Sequence, residues 1–293
     1  MHIPDSMLQG AVCPVTLALG AAGLTVVVAT AVRSTDKPGA ARFAGVAALI
    51  FAGQMMNFAI PGGTSGHLLG GVLAAALLGT PFGVLAMTLV LAVQAVLFGD
   101  GGLLAFGANV VNMALIGVGI GGLLCHPQLS RIGQASLLTA AGWLSVMIAA
   151  LAASIELTAG SNLFFTSVSA AMLGNHLWIG LGEGIITAAA WLALAPTCRE
   201  NSRQALLAML LIACSVALLL SPLASSLPDG LEQAAAQLHL LADGGSWLAP
   251  LADYRLPGLT GETLSNGLAG LIGTLATFAS AWFVARGMDR RAA

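Results

Sequence analysis

The sequence predicts an all-α integral membrane protein, a polytopic helical bundle of about nine crossings. Three observations lead there. The chain is 58% hydrophobic and only 8% charged over 293 residues, where a soluble domain carries about 25% charged residues. Its mean hydropathy is +0.93. Its apolar residues gather into runs close to the ~20 that a helix needs to cross the hydrocarbon layer. The net charge of −2 speaks against a nucleic-acid partner. Cys13, Cys125, Cys198 and Cys214 form no C-x-x-C pair and read as small apolar fillers.

The chain opens on "MHIPDSMLQG". The first basic residue is Arg33, behind the first apolar run, so the pattern of a cleaved secretory signal is missing and Met1 is expected to persist. Candidate crossings follow at 13–32, 43–60, 82–98, 103–124, 134–155, 175–195, 204–220 and 266–285. A further segment, "GHLLGGVLAAALLG" at 66–79, is apolar but short and is closed by Thr80-Pro81. It reads as a tilted or partly inserted helix whose small residues Gly70, Gly71, Ala74 and Ala75 allow close helix approach. If 66–79 crosses and the N-terminus is outside, nine of the ten basic residues (Arg33, Lys37, Arg42, Arg131, Arg199, Arg203, Arg286, Arg290 and Arg291) fall inside, and only Arg255 falls outside. That asymmetry predicts nine crossings with the C-terminus in the cytoplasm.

The long outer loop, 221–265, is acidic, with Asp229, Glu232, Asp243, Asp253 and Glu262 against Arg255. Within it "SSLPDGLEQAAAQLHLLA" reads as a helix start, with Asp229 and Glu232 spaced as a capping box. The polar stretch "PTCRENSR" at 196–203 divides the chain into a first domain, 1–200, and a second, 201–293.

Of the five histidines, His2, His67 and His176 fall at or near the outer face, His126 in the inner "HPQLSR" turn and His239 in the outer loop. The Met1 amine, the His2 backbone nitrogen and His2 Nδ1 can bind one metal through a five-membered and a six-membered chelate ring. This needs a free amine and loss of the amide proton, which a metal favouring planar nitrogen ligation, Ni(II) or Cu(II), can drive. His67 is a candidate fourth ligand, among glycines that let the backbone turn tightly. Affinity should rise with pH through the histidine range. The competing reading makes His2 a disordered terminal residue and His67 a helix cap.

Four stretches, "MHIPDSML" at the start, "GTSGHLLGG" around His67, "DGGLLAFGANVVNMALIG" at 100–117 and "HLWIGLGEGIIT" at 176–187, resemble the CbiM/NikM family over residues 1–195. These are substrate-specific membrane components of energy-coupling factor (ECF) importers for cobalt and nickel. "SSLPDGLEQAA" at 225–235, with its flanking spans, resembles the PDGLE domain of the NikN/CbiN small component. The resemblance implies metal ligation by Met1, His2 and His67, the same atoms the chelate selects. It implies no prosthetic group, with Ni2+ or Co2+ as transported substrate. It also implies a bacterial cytoplasmic (inner) membrane location, a CbiQ/NikQ-like coupling subunit and two CbiO/NikO-like ATPase subunits. One departure is Ser6, where the family pattern has glycine.

The chain itself carries no P-loop; its one lysine, Lys37, precedes a proline. "GGVLAAALLG" and "GVGIGGLL" are candidate partner surfaces or internal packing faces. Asn57, Asn109 and Asn112 read as interhelical hydrogen bonders or as support for His2 and His67. Ser65 and His176 stand near the same face, and Glu183 sits about two turns below His176. Asp100 either attracts cations or ends its span. Asp229, Glu232 and His239 either cap and solvate an outer helix or serve as transient ligands. Two other functions compete: a stand-alone secondary carrier, for which no internal repeat is evident, and a rhomboid-like protease using Ser65 and His176. Planar ligation leans towards nickel over cobalt.

Overall fold

A computed structural model describes residues 1–125, 128–159, 161–199, 202–240 and 249–290. His126, Asp243, Arg291 and positions 200 and 201 of the linker lie outside the described residues. The long helices are α1 (Val12–Arg33), α2 (Ala40–Gln54), α4 (Thr80–Phe98), α5 (Phe106–Leu124), α6 (Arg131–Ala159), α7 (Phe165–Arg199), α8 (Arg203–Ser215, continued to Leu223) and α10 (Glu262–Arg290). Two short helices complete the set, α3 (Gly71–Leu78) and α9 (Gly230–Gln237). Seven of these helices are long and apolar enough to cross a membrane, in a fold that is helical throughout its core.

α2 is the axis of the bundle. Every residue from Phe43 to Ala52 is buried, and it packs against α3, α4, α8 and α10. A helix apolar all round is either covered by protein or faces lipid, and α2 is covered. The covering comes from both halves of the chain, since α8 and α10 belong to the second predicted domain.

The predicted crossing 43–60 ends early. The helix stops at Gln54, and β1 (Phe58–Ile60) pairs antiparallel with β2 (Thr64–Gly66). Pro61 biases Ile60 towards extended backbone, and Gly62 and Gly63 take the turn at φ +96° and +73°. The 66–79 segment is likewise only half a helix, because regular structure begins at Gly71. It nevertheless runs the length of α2. Gln54 Nε2 donates to Leu69 O at one end (2.7 Å), and Arg42 Nε donates to Leu77 O at the other (2.7 Å). Irregular backbone is tolerated at membrane depth when protein covers it, as here.

The small-residue faces are internal. An added Cβ at Gly71 would meet the Gly117 backbone at 2.7 Å, and one at Gly121 would meet Val72 Cα at 2.8 Å. "GGVLAAALLG" and "GVGIGGLL" therefore hold α3 against α5. The α6–α7 pair has a similar contact, where a Cβ on Gly142 would lie 2.7 Å from Gly184 Cα. Gly142→Val should force these helices apart and cost about 1–3 kcal/mol of stability, read as a lower midpoint of thermal unfolding in detergent.

Candidate metal centre

The first residues fold back into the bundle. Met1 and Ile3 are buried, and a short 3-10 turn, Asp5–Met7, carries the chain out to α1. Asn109 on α5 clamps this segment at both polar atoms of one residue. Its Oδ1 accepts from Ile3 N–H (2.8 Å) and its Nδ2 donates to Ile3 O (3.1 Å). Gly102 N–H also donates to Ile3 O (2.9 Å), and Ala105 N–H donates to Asp5 Oδ1 (2.8 Å). Glycine is required at 102, where a Cβ would collide with the Asp5 side chain.

This insertion brings the Met1 nitrogen to 2.8 Å from His67 Nε2. His67 Nδ1 donates to Leu68 O (2.9 Å), so the lone pair of the neutral ring is on Nε2. The His2 ring stacks on the His67 ring, with centroids 5.3 Å apart and planes inclined by 17°. His2 Nε2 lies 3.1 Å from Gln94 Oε1, and His2 Nδ1 lies 3.4 Å from Asp100 Oδ1. Tyr254 O–H donates to the other Asp100 oxygen (2.6 Å). In a square plane with metal–nitrogen bonds of about 2.0 Å, neighbouring ligand nitrogens are about 2.8 Å apart. The Met1–His67 separation equals that edge; in this structure it is a hydrogen bond from the ammonium to the Nε2 lone pair. Among the described residues, no three His, Cys, Asp or Glu side chains form a metal cluster. A chelate here therefore depends on the chain terminus and on backbone nitrogen.

The irregular backbone around His67 is held by α7 and α2. The buried Glu183 carboxylate accepts from Leu69 N–H (2.6 Å) and Gly70 N–H (2.9 Å). Gln54 takes Leu69 O, as above. The 227–228 stretch of the second predicted domain closes over β2. Thr64 Oγ1 and Ser65 N–H donate to Pro228 O (2.7 and 2.8 Å), and Ser65 Oγ donates to Leu227 O (2.7 Å).

Asp229 follows directly and has two tasks. Its Oδ1 accepts from Leu231 N–H and Glu232 N–H at the start of α9 (both 2.8 Å), and Glu232 returns a bond to Asp229 N–H, completing the capping box. Its Oδ2 accepts from the Met1 ammonium at 2.9 Å and lies 3.8 Å from His67 Nε2. Asp229 thus caps α9 through one oxygen and pairs with the Met1 ammonium through the other.

A cavity of about 710 Å³ opens at this junction. His2 and His67 line it together with Asp100, Asp229, Glu232, Asp253 and Glu262; among the described residues no Lys or Arg lines it, and Arg255 pairs with Glu262. Burial pushes the His2 imidazole below its usual range, and the Met1 ammonium adds to this against the pull of Asp100. His67 is lowered by burial first, then by the Met1 ammonium and His2. Burial alone would raise Asp229, but the Met1 ammonium holds it well below the usual carboxylate range. Both imidazoles are thus biased towards their neutral forms.

The other predicted residues divide. Asn57 lines the cavity, and its backbone oxygen accepts from Ser225 N–H (2.8 Å), joining the domains. Ser65 is spent in the same joint, bonded to backbone carbonyls. His176 is buried with Nδ1 donating to Met172 O (2.7 Å), beneath the start of α9. Asn112 donates to Glu156 on α6 (2.6 Å), as an interhelical bond. His239 is exposed past the end of α9. Gln54, Gln94 and Tyr254 escaped the sequence reading. The signal was an amide inside each of two apolar runs, "FAGQMMN" and "LAVQAVL", where a buried amide must find partners.

Fold and site together define a multi-pass membrane protein of metal transport. Residues 2–201 match the family described as cobalt uptake substrate-specific transmembrane region, CbiM, and residues 203–290 match the PDGLE domain. The chain belongs to the CbiM family. It is 36% identical to a putative fused nickel transport protein NikMN of Archaeoglobus fulgidus, over 98% of each chain. It is 34% identical to a probable fused nickel transport protein LarMN of Lactiplantibacillus plantarum, over 88% of this chain and 90% of that one. A crystal structure of a transition metal transporter superposes with a TM-score of 0.58 at 34% identity, covering 69% of this chain and 95% of the other.

Asp229 also carries a stability signature. An unfolded Asp229 takes up its proton around 3.8, whereas the folded carboxyl holds out to lower pH. Its contribution is complete at neutral pH and drains away as the pH falls below that value. Asp229→Asn keeps a capping side chain but loses the charge beside Met1. The metal-free variant should lose about 1.5–3 kcal/mol at neutral pH, and its melting temperature should fall less steeply on acidification than that of the unchanged protein.

Proposed function

We propose that this protein is the substrate-specific membrane component of an ECF-type importer for nickel or cobalt, with nickel preferred. The metal is held by the Met1 amine, the His2 backbone nitrogen, His2 Nδ1 and His67 Nε2. The observation that carries the reading is the 2.8 Å approach of the Met1 nitrogen to His67 Nε2, beside the His2 ring and at the foot of an acidic cavity. Four nitrogens in a plane favour nickel. The relatives named above are nickel transport proteins, while the family description names cobalt.

In this reading the site faces outward in a bacterial cytoplasmic membrane, with Arg33, Lys37, Arg42 and Arg131 on the cytoplasmic side. The first domain, 1–200, binds the metal. The second, 201–293, covers it through Asp229. A grip of this kind releases slowly, so discharge inward needs work. The chain has no nucleotide-binding loop, so ATPase subunits and a coupling subunit supply that work. Asn57, Ser65, His176 and Glu183 shape the site without ligating the metal.

Nickel titration of the purified protein, read by calorimetry and bound-metal analysis, tests this. His2→Ala, His67→Ala and a version with residues added before Met1 should each lose more than the ~10–100-fold that removing an outer hydrogen-bond partner costs. Unchanged binding by the extended version would overturn the terminal chelate.

A further inference from the structure

Two glutamines link His2 to the His67 segment. Leu69 O can only accept, so Gln54 presents its Nε2 there at 2.7 Å and its Oε1 the other way. Gln94 must then present Nε2 to Gln54 Oε1, at 2.8 Å, which leaves its own Oε1 facing His2 Nε2 at 3.1 Å. A second anchor dictates the same orientation. The Asp100 carboxylate accepts from Tyr254 O–H, so the phenol oxygen is free to accept from Gln94 Nε2, at 3.5 Å. Gln94 is fully buried and Gln54 nearly so, and neither amide can be turned without stranding a polar atom.

From this polarity we propose, building on the metal-site reading above, that the Gln54–Gln94 relay fixes neutral His2 as its Nε2–H tautomer and so presents the Nδ1 lone pair that the chelate requires. One contact opposes it. Asp100 Oδ1, 3.4 Å from Nδ1, would attract a proton there. Asp100 is partly open to solvent, with 28% of its side chain exposed, so water can serve that oxygen. Gln94 Oε1 has no such recourse, and losing the Nε2 proton would leave two acceptors face to face in a buried site. The relay thus decides the tautomer. Gln94 and Gln54 are positioning residues: they touch no metal, and they set which ring nitrogen can bind one. Because the relay ends at Leu69, it also ties the His2 ring to the backbone carrying His67.

The test uses the full chain in detergent with 15N-labelled histidine, metal-free, with His2 assigned by loss of its signals in His2→Ala. Ring 15N shifts report which nitrogen carries the proton. The unchanged protein should show Nε2–H. Gln94→Leu should shift His2 towards Nδ1–H and weaken nickel binding by about 10–100-fold, with thermal unfolding still cooperative. Gln94→Glu should restore the tautomer and most of the affinity, because a protonated carboxyl can donate to Gln54 Oε1 and accept from Nε2–H. Should Gln94→Leu fail to fold, Gln94→Met, which keeps the side-chain length but offers no oxygen to His2 Nε2, is read in the same way. A proton on Nδ1 in the unchanged protein, or an unchanged tautomer in the foldable variant, overturns the relay. Normal nickel binding by His2→Ala would instead overturn the metal-site reading, while the 15N result would still stand on its own.

Discussion

A charged chain terminus is costly to bury, and the pairing of the Met1 ammonium with Asp229 is the contact on which the rest of this structure depends. The amine is almost wholly enclosed, so a carboxylate must meet it. That carboxylate comes from the far end of the sequence. It is also the N-cap of α9, so the geometry that starts a helix in the second domain aims the free oxygen at the first residue of the chain. The backbone joints from Thr64, Ser65 and Asn57 to the 225–228 stretch hold this arrangement in register. The second domain is therefore part of the site wall.

The site uses backbone that is not regular helix. His67 lies between a strand and α3, held by Glu183 and Gln54 from neighbouring helices. The amides that reach the N-terminal segment stand at departures from α-helical winding. Gln94 begins a π turn at the end of α4, and Asn109 immediately precedes the π stretch Val110–Gly117 in α5. Such wide turns are common at functional sites. They also suit the grip and release of the proposed function, since elements with alternative windings can shift without unfolding the bundle. Rigid packing lies elsewhere, along α2 and in the glycine contacts of α3 with α5 and α6 with α7.

Hydropathy alone determined the membrane class and most of the helices, because burying a bare backbone in lipid allows few other solutions. The Asp229–Glu232 spacing announced a capping box, and chelate-ring geometry singled out Met1 and His2, because both are consequences of covalent neighbourhood. The break after Gln54 was hidden, since "MMNFAI" is as apolar as a helix end, and only Pro61 and two glycines turn it into a hairpin. What tertiary structure alone decided is how residues distant in sequence meet. Asp229 reaches Met1 across 228 positions, Gln94 reaches His2 across 92, and Glu183 holds Leu69 across 114. No local pattern encodes those encounters: they follow from the second domain's helices packing on α2 and from the N-terminal segment folding inward. The opening Met-His was legible as a possible grip. The structure added the carboxylate that pairs with Met1, the amides that hydrogen-bond the N-terminal segment and the cavity beside them.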